Sequence, residues 1–135
     1  MASPDDELQA AIFERLRADP DIVALVGGRV FDRVTADAQL PYVQFSKCSS
    51  ARDRMSCVRS WTLYPDIDVW SDGVGFGEAK RIMAAVAECL DGAALVLETM
   101  RLVMIIEYKS DVFRDADGLT SHGVVTFKAI VEKRA

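Results

Sequence analysis

Residues 58–91, VRSWTLYPDIDVWSDGVGFGEAKRIMAAVAECLD, contain the change of period that decides the fold. Trp61, Leu63, Ile67 and Val69 recur at every second position, with Thr62, Asp66 and Asp68 between them, which is the period of a strand with one buried face. Past Gly77 the spacing changes to threes and fours. Ala79, Ile82, Met83, Val86 and Leu90 then form one stripe on a helix of about 12 to 15 residues. Ser71, Asp72 and Gly73 supply the turn between strand and helix, and Gly92 stands where a left-handed helix stop is wanted. A one-faced strand followed by a one-striped helix predicts a helix lying on a sheet. Pro65 breaks the alternation, so the strand should either carry a bulge or lie at the sheet edge.

Towards the N-terminus, Ser3 and Pro4 are a capping residue and a first-turn proline, and Leu8, Ala11, Ile12 and Leu16 follow at helical spacing. Asp5, Asp6 and Glu7 sit at the positive end of that helix dipole. Asp19, Pro20 and Asp21 repeat the start signal for a short second helix that ends at Gly27 and Gly28. RVFDRV at 29–34 reads as a short strand, and Pro41 opens a further strand, PYVQFSKC. SSARDRMSC at 49–57 has no period and reads as an exposed loop or a long hairpin tip. Beyond the central helix, AALVLE at 93–98 fits either a strand or a packed connection. MRLVMIIEYKSDVF, the turn DADGLTSHG with Asp117-Gly118 at its tip, and VVTFKAIVEK make a long terminal hairpin, with Val125, Phe127, Ala129 and Val131 on one side. The expected class is α+β: a mixed, mainly antiparallel sheet with a long C-terminal hairpin, packed by an N-terminal helix and one central helix.

With 135 residues and 50% hydrophobic content, the chain suits a single domain spanning 1–135. A formal net charge of -5 argues against a protein held on nucleic acid by phosphate neutralisation. No apolar run is long enough to span a bilayer, so no membrane partner is expected, and the acidic start MASPDDELQ is unlike a signal peptide. These features point to a cytoplasmic protein. Cys48, Cys57 and Cys89 are odd in number and lack metal-ligand spacing, which predicts free thiols rather than disulfides.

The sequence offers no catalytic constellation. His122 is the only histidine; it follows Ser121 in the predicted turn, without a nucleophile elbow, and reads as a polar turn residue. Asp66 and Asp68 share a strand face and have the chemistry of a carboxylate pair, but a solvated strand face accounts for them more simply. DADG at 115–118 resembles the start of a calcium loop, yet the twelfth position, where a glutamate is required, is Thr126. GVGFG at 73–77 precedes a helix as a dinucleotide loop does, but the third glycine is missing and Glu78 would repel a phosphate, so it reads as a helix-start turn. No catalytic residue, cofactor or metal is expected.

Taken together, LQAAIFERLRADPDIVALVGGRVFDRV, LPYVQF, DIDVWSDGVGFGEAKRIMAAVAECLDG and DADGLTSHGVVTFKAIVE resemble the tail-terminator, or tail-completion, proteins of long-tailed phages and gene transfer agents. The order and spacing of these pieces carry the resemblance, above all Asp68-Val69-Trp70-Ser71 before the amphipathic helix and His122-Gly123-Val124 leading into the last strand. It implies a non-enzymatic virion protein that assembles in the host cytoplasm and ends in the virion tail. Its implied partners are itself, as a homohexameric ring, the tail tube protein and the head-tail connector protein. The ring would cap the head-proximal end of the tube, stop its polymerisation and offer the head-joining surface, while DNA only passes through the lumen. A small ligand-binding module, and behind it a small enzyme, are the alternatives from other classes. For partner binding, Arg52, Asp53, Arg54 and Arg59 form the densest group of exposed charge away from the chain ends, expected to order on the tube or on a neighbouring subunit.

Overall fold

A computed structural model describes residues 3–54 and 57–134. In chain order the elements are α1 (Pro4–Ala18), α2 (Pro20–Val26), β1 (Val30–Phe31), β2 (Tyr42–Asp53), β3 (Ser60–Ser71), α3 (Gly77–Leu90), β4 (Met100–Arg114) and β5 (Ser121–Lys133). The strands form one five-stranded sheet in the order β1-β2-β3-β5-β4. Only the β1–β2 pair is parallel; the other three are antiparallel. This is the expected α+β architecture.

The helices begin where their caps stand. Ser3 Oγ accepts from the Asp6 amide to open α1, and Asp19 Oδ1 accepts from the amides of Asp21 and Ile22 to open α2. The backbone of Gly27, at φ 62°, closes α2. Leu8, Ile12 and Leu16 from α1, Ile22 and Val26 from α2, and Ala79, Ile82, Val86 and Leu90 from α3 all bury their side chains in one cluster. From the sheet, Leu63, Ile67, Val69, Val125, Phe127, Ala129 and Val131 enter the same cluster. All three helices therefore cover one face and leave the other bare. Among the described residues no helix is long and apolar enough to cross a membrane.

Gly123 allows α3 to lie this close. It pairs with Val69 and faces the helix, where a Cβ would fall 2.4 Å from Met83 Sδ and 2.9 Å from Met83 Cγ. Glu7 ties α1 to the start of β4 by accepting from the Thr99 amide at 2.7 Å, the Thr99 hydroxyl at 2.5 Å and the Met100 amide at 3.1 Å. Burial pushes its carboxyl up, but the Thr99 and Met100 bonds and the field of Arg134 outweigh that and hold it below the ordinary glutamate value.

Several sequence readings need correction. Pro65 is not at an edge: β3 is flanked by β2 and β5, and the irregularity lies in β2, where the register shifts between Phe45 and Cys48 opposite Pro65. The strand expected over 29–34 is only Val30–Phe31. Of the two alternatives for 93–98 the packed connection is the one found: residues 93–97 form no strand, and Leu97 is buried. Of the loop expected at 49–57, residues 49–53 extend β2, because Ser49 to Asp53 pair in register with Tyr64 to Ser60. The hairpin-tip reading holds as far as the described residues go, since β2 and β3 stay paired up to Asp53 and Ser60; residues 55 and 56 lie outside the described residues.

Candidate interaction surface

The bare face of the sheet is less polar and less wet than its sequence suggests. Asp68 is only 6% exposed, and its neighbour Asp66 accepts a hydrogen bond from the Thr126 hydroxyl. The solvated-face reading of these aspartates is therefore wrong for Asp68. His122 is not a turn residue either: β5 begins at Ser121, which sets His122 between Trp70 on β3 and Phe113 on β4. Its ring stacks on Trp70 at 3.8 Å between centroids, tilted 15°, and meets Phe113 at 4.8 Å. His122 Nε2 lies 3.1 Å from Asp68 Oδ2, within ion-pair distance but off the line a hydrogen bond needs.

Burial raises the Asp68 carboxyl above its ordinary value, against the lowering effect of His122 and Ser46 and with a further push from Asp66. Burial and then Asp68 raise the Tyr42 phenol alongside. The signal that could have located this cluster was the pairing of one aromatic, Trp70, with the single histidine across two strands, and sequence period alone does not reveal strand register. Beside it a shallow depression of ≈ 530 Å³ is lined by Lys47, Tyr64, Asp66, Tyr108, Lys109 and Asp111, among others. Its acidic and basic groups are mixed, and among the described residues there is no group of three potential metal ligands. The GVGFG stretch leads into α3, which begins at its last glycine, Gly77, and the next residue, Glu78, accepts a 2.6 Å bond from Ser71 Oγ. Cys48, Cys57 and Cys89 are free, and burial pushes the Cys48 and Cys89 thiols up to about 12 and about 11.

The sheet has two open edges. β4 pairs with β5 alone, and β1 covers β2 only at Val43 and Gln44. Two bulges interrupt β4, between Leu102 and Met104 and between Glu107 and Lys109, and they leave Val103 47% and Tyr108 57% exposed. Ile106 and Phe113 on the same strand are exposed as well.

The four residues expected to bind a partner gather at one hairpin tip. Arg52 and Asp53 end β2, and Arg54 and Arg59 flank the turn; all four are exposed. Ser60 Oγ donates to Asp53 Oδ2 at 3.4 Å, and the Arg59 carbonyl accepts from the Lys133 amide at 2.8 Å. The flanks of the tip are thus tied to the sheet at Asp53 and Arg59.

The described residues thus form a sheet covered by helices on one face, with open edges and a charged hairpin tip. The family profile described as Tail completion protein gp17 matches residues 10–132, and the chain belongs to that family. It is a structural tail completion protein of the phage and gene-transfer-agent type. A chain in the virion of a native gene transfer agent (GTA) particle is similar to it at 32% identity and a TM-score of 0.91, over 98% of this chain and 99% of that one. The bacteriophage SPP1 gp17 protein is similar at 26% identity and a TM-score of 0.59, over 92% of this chain and 88% of that one. Comparison with curated protein sequences gives no significant match.

Proposed function

We propose that the protein forms a ring, a homohexamer, which caps the head-proximal end of the tail tube, stops tube polymerisation and presents the head-joining surface. It assembles in the host cytoplasm with the tail tube protein and the head-tail connector protein, and DNA only passes through its lumen. The observation that carries the reading is the pair of open sheet edges. β2 and β5 both run antiparallel to β3, and β4 runs antiparallel to β5, so β4 is antiparallel to β2. The β4 edge of one copy can therefore meet the β2 edge of the next as an ordinary antiparallel pair. Such a head-to-tail contact uses two different surfaces and closes into a ring when its rotation allows. Left uncovered, a fifteen-residue edge bearing Val103, Ile106 and Tyr108 would be a liability.

The 98% and 99% mutual coverage with a gene-transfer-agent virion chain supports a place in such a particle. Native mass measurement and negative-stain images of the protein, alone and mixed with tail tubes, test the reading. Rings alone or on tube ends are expected. A protein that stays monomeric even with tubes present would overturn it. Replacing Val103 and Ile106 by Lys should abolish rings while leaving the fold intact, since both side chains are exposed.

A further inference from the structure

The two hairpin turns lie at opposite ends of the sheet, because β3 and β5 pair Ser60 with Glu132 at one end and Ser71 with Ser121 at the other. Twelve strand residues separate the ends by about 40 Å. The ends differ in charge. Residues 52–59 carry three arginines against one aspartate, whereas residues 111–120 carry three aspartates, Asp111, Asp115 and Asp117, against Arg114. Since the whole chain is at -5, the basic end runs against its composition.

The surroundings sharpen the contrast. At the basic end Arg101 is paired with Glu132, and Arg134 donates to the Leu97 carbonyl. Among the described residues the side chains of Arg52, Arg54 and Arg59 make no ion pair. At the acidic end Arg114 lies over the Phe76 ring, 4.8 Å from its centroid, and Lys80 approaches the same ring at 5.9 Å, so both cations are engaged by an aromatic ring. Asp117 accepts from the Leu119 and Thr120 amides and the Thr120 hydroxyl, which holds its carboxyl below the ordinary value and keeps it charged.

We infer that the 52–59 end docks on a carboxylate-rich protein surface through Arg52, Arg54 and Arg59, and that the opposite charge of the 111–120 end fixes which way round the protein sits between its two neighbours. The direction of sitting rests on the ring reading above, in which all copies place their basic tips on one rim and their acidic tips on the other. Guanidinium forks match carboxylates in paired hydrogen bonds, and repetition around a ring multiplies a weak contact into a firm one. A nucleic-acid partner is disfavoured, because Asp53 and Glu132 stand among the arginines and the net charge of -5 opposes phosphate.

The test compares wild type, the triple variant R52E/R54E/R59E and the variant D115K/D117K for binding to purified tail tubes, purified connectors and a DNA duplex, at low and high salt. Wild type should bind one of the two protein partners in a salt-sensitive way, the triple variant should bind that same partner at least about tenfold more weakly, and D115K/D117K should keep it. Equal binding by the triple variant, equal loss in D115K/D117K, or arginine-dependent binding to the duplex alone would overturn the inference. Native mass on the same samples separates the two readings. Intact rings with unaltered docking sink the inference and spare the ring, while arginine-dependent docking by a protein that never forms rings sinks the ring and spares the docking surface.

Discussion

The helix-covered face and the bare face of the sheet each bury a carboxylate, and the two behave in opposite ways. Glu7, under the α1 side, is met by three donors from Thr99 and Met100 and is held below its ordinary value. Asp68, on the bare side, is buried beside Trp70, His122 and a second carboxylate, and is held above it. Burial acts upward on both; the number of donors aimed at the charge decides the sign. The covered face is therefore finished within one chain. The bare face holds its buried carboxylate with fewer donors and beside a second carboxylate.

The largest effect should come from the covered face. Gly123→Val places a branched side chain where even a Cβ would collide with Met83, so α3 must shift away from β5. Melting or denaturant titration should show a loss of about 3 kcal/mol, at the upper end for overpacking. A near-neutral result would mean that Met83 swings aside and that the glycine is not what sets the helix-to-sheet distance.

Glu7→Ala should follow, at about 2 kcal/mol, because it strands the Thr99 and Met100 amides as well as removing the carboxylate. Its pH signature has a definite sign. A lowered carboxylate contributes stability that is present above the ordinary glutamate value and is lost as pH falls through the lowered one, so Glu7→Gln should flatten the acid limb of the stability profile. Asp68 has the reverse sign: a raised carboxyl contributes stability that is full below the ordinary aspartate value and is lost as pH rises through the raised one. Stability measured between about pH 3 and pH 7 should thus fall less towards neutrality in Asp68→Asn than in wild type. Parallel slopes for the two variants would erase the contrast between the faces.

The smallest effect on stability belongs to the rim. Arg52 and Arg54 are exposed, and reversing both to Glu should move stability by no more than about 0.5 kcal/mol. Tails assembled with that variant should nevertheless be overlong or headless when counted in electron micrographs. Normal tails would make the tip an inert surface excursion.

Local chemistry in the sequence determined a great deal here. Proline and serine or aspartate caps placed α1 and α2, the three-and-four spacing placed α3 at Gly77–Leu90 with its buried stripe, and the alternation of Val125, Phe127, Ala129 and Val131 placed the core face of β5. These signals involve neighbours within a turn or a strand pair, so they survive in one dimension. The order of strands, the central place of β3 despite Pro65, and the burial of Asp68 against His122 were decided only by tertiary structure. Each depends on register between segments dozens of residues apart, and a shift of one residue sends every side chain to the other face. The same holds for the rims. Arg52 and Asp117 are legible as charged loop residues, but that they stand at opposite ends of one sheet follows only from the pairing of Ser60 with Glu132 and Ser71 with Ser121.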